Sequence, residues 1–124
     1  MKAEWIDFCR CAGFRMDGEY IEVTFASERR QRVRIEDQGD AFRLCSVAAR
    51  AKKLSDLSNP ELVAWERNRS LSLMGFRVDE RGCMIGEAWV PKVGLTAEEF
   101  QLYVRTVALE CDRFEFKLTG QDHE

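Results

Sequence analysis

The chain has 124 residues, 45% of them hydrophobic and 33% charged, a balance that fits one packed domain over residues 1–124 and excludes a disordered chain. Its net charge of -3 gives no general attraction to nucleic acid, whose binding leans on neutralising phosphates. No apolar run nears the roughly 20 residues of a membrane span, and acidic residues interrupt the opening stretch where a signal peptide needs a clean apolar core, so a cytoplasmic setting without membrane contact is expected.

The first predicted element is a helix over residues 3–12. Trp5, Phe8, Cys9 and Ala12 follow the spacing of one buried stripe, and Gly13 can end it. The period then changes. Ile21, Val23 and Phe25 alternate with Glu22 and Thr24, as a strand with one buried face requires. A second strand sets Val33 and Ile35 against Arg30, Arg32 and Arg34, after a short Ser27-Glu28-Arg29 connection. Gln38-Gly39-Asp40 marks a turn, and residues 41–47 read as a third strand. Residues 48–57 are ambiguous between helix and loop.

Asn59 as N-cap with Pro60 at the first helical position opens a helix running through Arg69, with a capping box from Ser58 to Glu61 as the competing start. Residues 71–79 and 83–90 form the strongest hairpin signal, with Gly82 supplying the positive φ that a bulged turn needs. Pro91 stops the second of these strands. A long amphipathic helix closes the chain. Thr96 and Glu99 make a capping box, Leu95 and Phe100 a hydrophobic staple, and Gly120 a C-terminal stop. Its apolar stripe is Phe100, Tyr103, Val104, Val107, Ala108, Cys111, Phe114 and Leu118.

The order α-β-β-β-α-β-β-α predicts an α+β fold, an antiparallel sheet of about five strands with helices on one face. The two strand groups are free to form one sheet or two abutting ones.

Chemistry has few carriers. The only histidine is His123, close to the end of the chain, and without another there is no pair to activate a serine or cysteine nucleophile. The five cysteines include a Cys9-Arg10-Cys11 run rather than a zinc-type or redox-type spacing, and read as free thiols in a reducing compartment. Carboxylates are abundant but scattered, with Glu87 and Asp79 able to converge across the hairpin. No catalytic, cofactor-binding or metal-binding residue is therefore assigned, and the chain is not read as an enzyme.

Two surfaces stand out instead. Arg30, Arg32 and Arg34 project from one strand face, either as a polyanion-binding stripe or as a solvated face paired with acids such as Glu22. The 71–90 hairpin is apolar on both alternation sets, Met74, Phe76, Val78, Met84, Ala88 and Val90 on one and Leu71, Leu73, Cys83, Ile85 and Trp89 on the other. A strand apolar on both sides is buried on both, by its own chain or by a partner.

The runs Val63-Ala64-Trp65-Glu66-Arg67-Asn68, Gly75-Phe76-Arg77-Val78-Asp79, Glu87-Ala88-Trp89-Val90-Pro91 and Gly94-Leu95-Thr96-Ala97-Glu98-Glu99-Phe100 resemble the YbjN-type family. Its members are described as bacterial sensory transduction regulators and share the fold of class I type III secretion chaperones. The resemblance covers residues 60–122, and the N-terminal half only by order of elements. It implies a small acidic α+β domain, commonly a homodimer, that holds other proteins and needs no cofactor or catalytic residue. The expected function is a chaperone-like or regulatory protein-binding module. Its expected partners are a second copy and a protein client, met through Trp65, Leu73, Ile85 and Trp89. The alternative is a regulator that binds nucleic acid or another polyanion through Arg30, Arg32 and Arg34.

Overall fold

The computed structural model of the chain describes residues 4–119. Helix α1 (Glu4–Asp7) precedes four strands, β1 (Phe14–Asp17), β2 (Tyr20–Thr24), β3 (Arg30–Asp37) and β4 (Ala41–Ala49). Helices α2 (Ala51–Leu54) and α3 (Pro60–Asn68) lead to β5 (Gly75–Val78), β6 (Met84–Pro91) and the long helix α4 (Ala97–Thr119). All strands join one six-stranded antiparallel sheet in the order β1-β2-β3-β4-β6-β5. The α+β class and the helix-covered face are as expected, with one strand more than the sequence suggested. The two strand groups form a continuous sheet because β6 pairs with β4 along its length, from Ala41 opposite Pro91 to Ala49 opposite Met84.

The extra strand is β1. The helix expected over residues 3–12 ends at Asp7, and the chain turns through residues 8–13 before pairing Phe14–Asp17 with Tyr20–Val23. The physical cause lies in two glycines. Gly13 (φ 88) redirects the chain, and Gly18 (φ 65) occupies the first central position of a two-residue hairpin turn, where a type II′ geometry takes glycine. Ala12 is consequently exposed, while Trp5 and Cys9 stay buried.

Other boundaries move less. Residues 48–49 complete β4 beyond an irregularity between Val47 and Ala49, and α2 takes up Ala51–Leu54. Strand β5 begins at Gly75, so Leu71 and Leu73 lie in the preceding loop. Asn59 caps α3, its side-chain oxygen accepting the Leu62 N–H at 3.2 Å. The Thr96–Glu99 capping box forms as read, with both hydrogen bonds at 3.2 Å. Gly120 and His123 lie outside the described residues.

Helix α4 crosses the sheet over β3, β4 and β6. Its inner row, Phe100, Val104, Val107, Ala108, Cys111 and Phe114, is fully buried against Phe42, Leu44, Ala88 and Val90. The approach is closest at Gly86, where a Cβ would stand 2.5 Å from Cys111 Sγ and 2.8 Å from Met74 Cε. Ser46, the buried polar residue of this face, is satisfied: its hydroxyl donates to Arg32 O at 2.6 Å and accepts from Gln31 Nε2 at 2.8 Å.

Candidate functional site

The opposite sheet face carries the other alternation set, and no described helix lies over it. Across its middle runs a ladder of ion pairs. Arg77 Nε meets Glu87 Oε2 at 2.6 Å, and Arg43 Nη2 meets Glu87 Oε1 at 2.7 Å. Arg43 also reaches Glu36 at 3.2 Å, Arg34 reaches the same carboxylate at 3.4 Å, and Arg34 Nε pairs with Glu19 at 3.0 Å. Glu36 stands directly opposite Arg43, whereas Glu87 is reached diagonally by Arg43 and Arg77, whose own register partners are Trp89 and Ile85. Burial pushes the Glu87 carboxyl up, but hydrogen bonds and charge from Arg77 and Arg43 outweigh it and hold the group below the usual glutamate range.

Arg30, Arg32 and Arg34 do share one exposed face of β3. Each has an acidic neighbour: Glu22 at 3.9 Å from Arg30, Asp17 at 3.4 Å from Arg32, and Glu19 at 3.0 Å from Arg34. Tyr20 carries the Arg32 guanidinium 4.1 Å from its ring centre. The stripe is an ion-paired face, as its pairing with Glu22 foreshadowed.

The four apolar residues singled out in the sequence are not brought together. Trp65 is 58% exposed on the outer side of α3 beside exposed Leu62, and Trp89 is 55% exposed on the open side of β6. Ile85 is turned to the same open face by register, opposite Val47 and Arg77, yet only 4% of it is accessible. Leu73 is half-buried in the loop before β5.

Several ionisable side chains are held in structural bonds. Asp79 Oδ1 accepts the N–H groups of Arg81 and Cys83 at 3.0 and 2.9 Å and so fixes the β5–β6 turn rather than facing Glu87. Burial pushes the Cys9 and Cys111 thiols up to about 12, with Cys11 adding to the effect at Cys9. Burial also raises Cys45. Such thiols stay protonated near neutral pH and are poor nucleophiles. Among the described residues no group of three or more His, Cys, Asp or Glu side chains is placed to hold a metal ion. No described helix is long and apolar enough to cross a membrane.

One edge of the sheet is closed by a side chain that sequence reasoning missed. Asn68, the last residue of α3, donates from Nδ2 to Phe76 O at 2.9 Å and accepts the Phe76 N–H at 2.7 Å. Its amide occupies the place that a further strand would take beside β5. A helix-terminal asparagine gives no sequence signal for such a role eight residues on.

Against solved structures the chain aligns over nearly its whole length. A chain of the ExsC–ExsE complex matches with TM-score 0.59 at 16% identity, covering 94% of this chain and 89% of that one. The two share a fold. A chain of the HopA1–SchA chaperone–effector complex gives TM-score 0.56 at 13% identity, covering 96% of this chain and 92% of its own. At these identities the likeness is one of architecture. No family model matches the chain, and the search of curated proteins returns no match.

Proposed function

We propose that the chain is a YbjN-type, chaperone-like protein-binding module without enzymatic activity, which works in the cytoplasm as a homodimer and holds a protein client. The observation that carries the reading is the pair of large side chains Leu62 and Trp65, exposed one turn apart on α3. The architecture adds support, since both solved neighbours are chains of complexes, one named chaperone–effector. Trp65 and Trp89 are the anchors, because tryptophans with large accessible area dominate binding energies when covered. Ile85 is 4% accessible and Leu73 half-buried, so neither offers a partner as much surface as the tryptophans do.

Light scattering of the purified chain at micromolar concentration tests the homodimer. The expected mass is twice that of the chain. Trp65→Glu or Trp89→Glu should halve it, since burying an unpaired charge costs several kcal/mol. Circular dichroism of each variant checks that the fold persists. A monomer whose mass neither substitution changes removes the homodimer.

A further inference from the structure

The charges of the open face are unevenly shared. Over β3, β4 and β6 lies a basin of about 530 Å³ whose lining carries seven arginines against three carboxylates. Glu36 is held between Arg34 and Arg43, and Asp79 is turned onto the N–H groups of its own turn. Two rim arginines, Arg50 and Arg81, are exposed and have no ion pair among the described residues. Between them and the β3 stripe the lining includes exposed Val47, half-buried Cys45 and buried Ile85. The five strand arginines are answered by Glu22, Asp17, Glu19, Glu36 and Glu87, so the charge left to a partner is that of Arg50 and Arg81 against the single exposed carboxylate Glu80.

We propose that this basin docks an extended acidic segment of a partner polypeptide, with carboxylates on Arg50 and Arg81 and an intervening apolar side chain on Val47. The proposal rests on the protein-binding reading above and assigns it a client chemistry. Guanidinium groups bind carboxylates through paired, charge-assisted hydrogen bonds, and an unpartnered arginine has most to gain from one. Nucleic acid fits the same charge less well. Tyr20 is the only aromatic side chain in the lining, and its ring is already covered by Arg32, so no free platform remains for stacking bases. A long polyphosphate would also run onto the negative remainder of the surface, whereas a short acidic segment keeps its charge within the basin.

The test is fluorescence anisotropy of a labelled peptide of about a dozen residues alternating glutamate with leucine and valine, in about 50 mM salt. Micromolar binding is expected, weakening at least about tenfold in high salt. The double variant Arg50→Glu with Arg81→Glu should weaken it by about tenfold or more. Single Arg50→Gln and Arg81→Gln variants report the same loss in smaller steps if the double variant fails to fold. A peptide with lysine in place of glutamate should not bind. Binding that is absent, or indifferent to salt, or unchanged in the arginine variants overturns the proposal. So does a single-stranded oligonucleotide of equal charge that binds more tightly and responds to the same variants. Trp65→Glu should leave peptide binding intact, and the arginine variants should leave the mass in light scattering unchanged. Loss of this docking site is thus distinguishable from loss of the homodimer.

Discussion

Gly86 and Glu87 are adjacent on β6, one pressed under a helix and the other set in a charge ladder, and they show how much single positions carry. At Gly86 even a methyl group would overlap Cys111 and Met74, and both neighbours are held in a packed core. Gly86→Ala should cost about 1–3 kcal/mol through overpacking, read as a lower urea midpoint with an unchanged slope. Co-substitution of Cys111→Ala should restore part of that loss; if it restores nothing, the close approach is not the cause. Few of these pairings are visible in the letters. Arg43 and Glu87 are 44 positions apart, and neither belongs to a motif. Their meeting depends on a register that only the assembled sheet defines, whereas the Arg30–Glu22 neighbourhood follows from adjacent strands and could be anticipated.

Among the elements, α4 was legible because its start signals and its apolar period agree, and helix ends with a complete capping box leave little choice. Strand β1 was not legible. It has four residues, only Phe14 is even partly buried, and a short element without a buried alternation resembles a loop. The Asp17-Gly18 step was its one signal. The β5 region was read too long for the converse reason: Leu71 and Leu73 extend the apolar alternation but are half-buried in a loop. The contact between α3 and β5 is the element-scale device most open to test. Asn68→Ala removes both bonds to Phe76 and should cost about 1–3 kcal/mol, because buried or half-buried backbone groups lose their partners. Hydrogen exchange at the Phe76 amide should quicken accordingly. An unchanged exchange rate there would mean that Asn68 does not protect this edge.

At the scale of the whole molecule, the open face ties stability to pH. Glu87 titrates below its ordinary range despite its burial. Asp37 does so through the Lys92 ammonium at 2.7 Å and the Gly39 N–H. A depressed carboxylate stabilises the fold fully above its unfolded value and loses that contribution as pH falls through the folded one. Glu115 acts in the opposite sense, since burial and nearby Asp112 raise it, so its penalty is relieved at a higher pH than the ladder is lost. The urea midpoint should therefore hold or rise slightly on mild acidification, then fall below about pH 4.5. Glu87→Gln should flatten that fall and cost about 1–2 kcal/mol at neutral pH. A midpoint still rising below that range would contradict the ladder. The amide that stands beside Phe76 has one more consequence. A β-ribbon lengthens without limit only when both of its borders can recruit, and here the border at β5 is stopped while that at β1 is not. Backbone pairing between copies of this chain is thereby left to β1 against β1, an arrangement that closes on two copies.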